Sequence, residues 1–151
     1  MVQTKKVFKL DDDFPQAPFR LIGVGATLKY YALCHHLNNL WQIDFQSLAP
    51  VIVKNSKGKK AEFSTLQTAS EDGKIVFTVF VNKDAGQFLL PETANYDFVL
   101  KLEGELDDED FKTLCAQIKE VKGVLLSAEI PLDKTKHSSR LILPEKDKKD
   151  D

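Results

Sequence analysis

"NYDFVLKLEGELDDEDFKTLCAQIKEVKGVLLSAEI", residues 95–130, reads as strand, helix and strand in succession. From Tyr96 the side chains alternate. Tyr96, Phe98, Leu100 and Leu102 point one way, and Asp97, Val99, Lys101 and Glu103 the other, which is the period of a strand. Apolar residues then recur at three- and four-residue spacing, so that Phe111, Leu114, Cys115, Ile118 and Val121 make one helix face. The helix begins on Asp107, Asp108, Glu109 and Asp110 and ends among lysines, the order its dipole favours. Capping accounts for that acidic run without a bound cation. Gly123 is a natural stop, "VLLSAEI" (124–130) is strand again, and Pro131 closes it.

A second strand–helix unit lies upstream. "FRLIGVG" (19–25) is strand-like, Thr27 offers a capping hydroxyl, and Tyr30, Leu33, Cys34, Leu37, Leu40 and Trp41 form one apolar stripe. Both units run strand, glycine, helix and then Leu-Cys. Their spacing differs by two residues, so a chance likeness of two amphipathic helices is the favoured explanation. Between the units, "LAPVIVK" (48–54), "KAEFSTLQTA" (60–69) and "KIVFTVFVN" (74–82) are rich in β-branched and aromatic residues. They are joined by the turn-like "NSKGK" and "SEDG". "KKVFKL" (5–10) reads as a first strand, "AGQFLLPE" as irregular, and "RLIL" (140–143) as a short return strand. The expected fold is α+β: a two-layer sandwich, a mostly antiparallel sheet with both helices on one face. Residues 1–143 make the single expected domain, and "PEKDKKDD" (144–151) a charged, disordered tail.

Composition narrows the function classes. With 151 residues, 42% of them hydrophobic, one core is feasible without metal or disulfide support. A net charge of −2 argues against a general nucleic-acid binder. No apolar run reaches the roughly 18 residues of a membrane helix, and the N-terminus lacks the apolar stretch of a signal peptide. A soluble, cytoplasmic protein is expected. Cys34 and Cys115 both fall on apolar helix positions, as buried reduced thiols do.

The apparent motifs are weak. "GVGA" has Leu28 where a dinucleotide loop needs glycine. Cys34, His35 and His36 are adjacent on a helix and diverge by about 100° per residue, so they cannot converge on one metal. Cys34 sits on the apolar stripe, where a reactive thiolate is not expected. "KNSKGKK" (54–60) could touch phosphate, but a solvated hairpin tip explains it better. No catalytic residue, metal ligand or cofactor is assigned.

The remaining feature is "LPETANYDF", residues 90–98. Pro91 suits a turn. Asp97 is out of place in a strand and, if buried, needs a partner: amides of the Leu90–Thr93 turn, a lysine, or Arg20. Read functionally, Glu92 and Asp97 form a carboxylate pair lining a cleft. Leu90-Pro91-Glu92, three free positions, then Tyr96-Asp97-Phe98 resembles the signature of the IPExxxVDY family of small bacterial proteins. Leu90, Tyr96 and Phe98 replace its isoleucine, valine and tyrosine. "FRLIGVGATLKYYALCHHLNNL" also resembles that family's strand and helix ending in Leu-Asn. The resemblance brings no established activity. It marks Pro91, Glu92, Asp97 and Phe98 as the positions to test, and Phe98 lacks a phenol that could have donated a proton.

The reading that results is a non-catalytic protein-interaction or self-associating domain, its partner another protein or a second copy. The alternative is a small-molecule-binding regulatory domain of ACT-like type. Behind these stand an acid–base enzyme using Glu92 and Asp97, and RNA binding through the lysine loop. No membrane association is expected.

Overall fold

The computed structural model describes residues 19–142. The helix and strand patterns resolve into β1 (Phe19–Ala26), α1 (Tyr30–Trp41), β2 (Gln46–Lys54), β3 (Lys60–Ala69), β4 (Ile75–Val81), β5 (Lys83–Asp84), β6 (Gln87–Phe88), β7 (Phe98–Gly104), α2 (Asp108–Lys119) and β8 (Val124–Ile130). Six strands form one antiparallel sheet in the order β2-β3-β4-β7-β1-β8, and β5 pairs with β6 in a separate hairpin. The fold is the expected α+β sandwich, with the sheet as one layer and both helices on one face. Strands β1, β4, β7 and β8 with the two helices follow the split β-α-β connectivity, which places β1 beside β7 at the centre. The β2–β3 hairpin extends one side. No helix among the described residues is long and apolar enough to cross a membrane.

Two cores flank the sheet. On the helix side, Ile22, Val24, Phe77, Val79, Leu100 and Leu102 meet Leu33, Cys34, Leu37, Phe111 and Ile118. On the other side, Leu21, Phe63, Phe80, Leu89, Leu90, Val99 and Leu141 are fully buried under the 83–96 segment and the residues after Pro131. This second core was not legible as such. Its cause is visible in β7, where Phe98, Val99, Leu100, Lys101 and Leu102 are all buried, so both faces of the central strand need cover.

Several local expectations change. Thr27 is not the N-cap of α1. The N-cap lies two residues later, at Lys29, which makes no side-chain cap, while Thr27 donates its N–H to the Gly123 carbonyl at 2.9 Å. Leu40 is exposed rather than part of the stripe. "AGQFLLPE" is ordered, as β6 and a 3-10 turn at Pro91–Thr93. The β5–β6 turn uses Ala85 and Gly86 at φ +51° and +79°, the paired left-handed conformation of a tight hairpin. Ser138–Leu141 is a 3-10 turn where a return strand was expected. The expected strand 5–10, Leu143 and the tail 144–151 lie outside the described residues.

Tyr96 is a further correction. Regular strand begins only at Phe98, so Tyr96 leaves the alternation and packs on the second core. Its ring covers Gly23, where a Cβ would sit 2.5 Å from the ring. Gly23→Ala is therefore expected to destabilise by about 1–3 kcal/mol through overpacking. Urea unfolding checks this, and the penalty should largely vanish in a Tyr96→Ala background. An alanine tolerated at no cost would mean the ring moves freely.

Candidate functional site

The LPE segment is held by a residue that sequence reading passed over. Asn82 follows β4 and is fully buried. Its Nδ2 donates to the carbonyls of Thr93 and Tyr96, both at 3.0 Å, and its Oδ1 accepts from the Leu90 N–H at 2.8 Å. Its backbone N–H donates to the Asp97 carbonyl and its carbonyl accepts from Leu89, each at 2.9 Å. One amide side chain thus ties both ends of residues 89–97 to the sheet. The only sequence signal was an asparagine closing an apolar strand.

The two carboxylates have separate partners. Glu92 accepts the His137 N–H on Oε2 at 2.9 Å and meets the ring Nδ1 through Oε1 at 2.8 Å. This fastens the segment after Pro131 to the LPE turn. Burial opposes the charge on Glu92, but the hydrogen bonds from the His137 backbone, the backbone of Glu92 and the His137 ring outweigh it, and the carboxyl titrates below its ordinary 4.5. Arg140 adds a bond to the Leu89 carbonyl at 2.7 Å. Asp97 pairs instead with Lys83 at 2.7 Å and accepts the Ala26 N–H at 2.9 Å. Neither the turn amides nor Arg20 serves it. The Leu90 amide goes to Asn82, and Arg20 binds Asp108 and Glu129, both at 3.0 Å. Pro91 opens the 3-10 turn, and Phe98 lies in the helix-side core.

The other candidates resolve as follows. Cys34 is buried, which pushes its thiol up to about 12, far from a usable thiolate. His35 and His36 are exposed, and no group of three or more His, Cys, Asp or Glu side chains among the described residues is placed to hold a metal. In the lysine loop, Asn55 Oδ1 accepts the N–H groups of Lys57 and Lys59 at 2.9 and 3.0 Å, and Gly58 turns the chain. Asp107 caps α2 by accepting the Asp110 N–H at 2.8 Å, as the acidic run predicts.

What sequence reading missed is the face where α2 meets β8. An open groove of about 400 Å³ runs between them, lined by Lys112, Cys115, Ala116, Lys119, Ser127 and Glu129. Ser127 Oγ donates to the Cys115 carbonyl at 2.9 Å and lies 3.3 Å from its Sγ. Strand β8 ends the sheet among the described residues. Gly25 pairs with Leu126 and Ala26 with Val124, so Leu125 is the extra residue of a bulge. Leu125 is 67% exposed and Leu126 36%. The opposite edge, β2, is guarded by Pro50 and a register shift between Leu48 and Val51. No protein-family model matches the chain, and no curated protein matches it.

Asn82→Ala would strand the Leu90 N–H and the Tyr96 carbonyl in a buried setting, while the Thr93 carbonyl keeps the Tyr96 N–H, so a loss of about 2–4 kcal/mol is expected in urea unfolding. A loss below about 1 kcal/mol would show that water replaces the amide. For Glu92, the folded pKa lies below the unfolded 4.5. Its contribution is thus present above about pH 4.5 and fades as pH falls through the folded value. The stability gap between parent and Glu92→Gln should shrink from pH 7 towards pH 3. A gap independent of pH would mean that the charge is not used.

Proposed function

We propose that this chain is a non-catalytic interaction domain that receives a partner polypeptide along β8. The observation that supports it most is the sheet-edge strand itself, with Leu125 and Leu126 exposed on it and a groove along its helix face. An edge strand offers unpaired backbone donors and acceptors, and native proteins normally guard it. Both edges carry a bulge; β2 adds Pro50 beside exposed Leu48 and Ile52, and β8 has Leu125 and Leu126 exposed. Adding a strand would satisfy the backbone, and the groove would take alternate side chains. The engagement of Glu92 and Asp97 with His137, Lys83 and backbone amides favours reading the LPE–YDF residues as a device of the fold. On that basis we also propose membership of the IPExxxVDY family, with its bacterial origin. A cytoplasmic location fits the two free thiols.

A second reading, a small-molecule sensor, rests on the groove volume, which is within the range of ligand pockets. Its split β-α-β architecture resembles ACT-type regulatory domains by fold alone. A ligand specific for the folded state would raise the melting temperature.

Leu125→Lys tests the first reading, because an exposed bulge position tolerates the change with little loss of stability. In native extract the parent should elute as part of a larger species and the variant at the size of the free chain. Identical elution of the two would remove β8 as the contact.

A further inference from the structure

The charge of this chain is segregated along the strand direction, although its net value is only −2. One end of the sheet carries the acidic run 107–110 together with Glu71, Asp72, Glu103 and Glu105. Arg20 and Lys112 at that end are already paired with carboxylates. The other end collects lysines. Lys54, Lys57, Lys59 and Lys60 occupy the β2–β3 tip, and Lys83 follows β4. Lys29 follows β1, and Lys119 and Lys122 lie where α2 gives way to β8. All eight are exposed.

Short contacts join these positions into one surface. The Glu62 N–H donates to Asp84 at 2.7 Å, Asp97 links Lys83 to the Ala26 N–H, and the Thr27 N–H donates to the Gly123 carbonyl. Glu62, Asp84, Asp97 and Glu120 are the carboxylates of this end. Asp97 takes up Lys83, but among the described residues no carboxylate lies within ion-pair distance of the other seven lysines. We infer that this end binds the phosphodiester backbone of a nucleic-acid single strand, independently of the β8 edge. Six strands about 4.8 Å apart spread the lysines across roughly 24 Å. The surface is stepped, because β3 runs five residues past Thr65–Phe80, its last pairing with β4, or about 16 Å. A flat bilayer would meet the tip first, and residues 54–60 hold no apolar side chain to insert. A flexible strand can follow the step. Tyr31, 62% exposed in the first turn of α1, offers a ring to a base beside Lys29. Lysine is a point charge without the guanidinium fork, so its contacts fall on phosphate and carry no sequence preference.

Fluorescence anisotropy of labelled oligouridylate and oligothymidylate, each of about 20 nucleotides, against the full chain tests this. Both should bind alike, with a Kd of about 1–10 μM in about 50 mM salt, and weaken steeply as salt rises. Lys57→Gln with Lys59→Gln, and Lys29→Gln with Lys122→Gln, should each weaken binding about tenfold and flatten the salt slope by about 1–2. Lys74→Gln with Lys112→Gln removes the same charge at the acidic end and should change binding by less than about threefold. No binding in about 50 mM salt, a basic-end pair without effect, or an acidic-end pair that weakens binding as much would each overturn the inference. Polyglutamate that displaces the strand at equal charge concentration would overturn it in favour of an acidic polypeptide. Phosphatidylserine vesicles that bind the chain when neither strand does would overturn it in favour of a membrane surface.

Discussion

The buried amide of Asn82 is the interaction on which the rest of this structure depends. The sixteen-residue excursion between two central strands, residues 82–97, must cross the face of the sheet without leaving its backbone groups unpaired. Asn82 meets that constraint by serving as donor to Thr93 and Tyr96 and acceptor from Leu90. An apolar residue there could pack, but it would leave the Leu90 N–H and the Tyr96 carbonyl dry, each costing about 1–3 kcal/mol. With the excursion fixed, Leu89 and Leu90 are pressed onto Val99 and Phe80, and Tyr96 onto Gly23. Glu92 is then in place to hold His137 and the segment that buries Leu141.

The second core therefore has a different character from the first. The helix-side core is built from amphipathic elements whose apolar faces would find one another in most arrangements. The opposite core is roofed by irregular chain, and polar contacts set its geometry. Lys101 shows this most clearly. Its side chain is buried, and its Nζ donates to the Leu141 carbonyl at 2.6 Å and lies 3.5 Å from Glu103. The rings of Phe19 and Phe80 stand 5.4 and 5.9 Å away. Its neighbours across the ladder are Leu21 and Thr78. A long cationic side chain on a central strand becomes acceptable when it ends on a carbonyl that the roof supplies.

The motif that draws the eye in the sequence is thus largely absorbed by folding. Glu92 and Asp97 do not share a partner, and each satisfies a backbone N–H from another part of the chain. The surface left open is the β8 edge and its groove. There two leucines, two lysines and Glu129 are exposed beside a strand with no neighbour among the described residues.

The elements with a strong period were legible from sequence alone. Strand 60–69 and strand 124–130 have the expected bounds, and α2 is capped from within its expected acidic run, by Asp107, because alternation, helical spacing and capping are local properties. The α+β class follows from those elements. Tertiary structure decided what depends on partners distant in sequence. Tyr96 left its face because regular pairing starts at Phe98. Lys29 replaced Thr27 as cap because Thr27 bonds to Gly123, and residues 140–142 turn rather than pair. The partners of Asp97, the role of Asn82 and the edge position of β8 were equally beyond a one-dimensional reading. Periodicity says which side of a strand is apolar, and only the closed sheet says whether that side, or that edge, is covered.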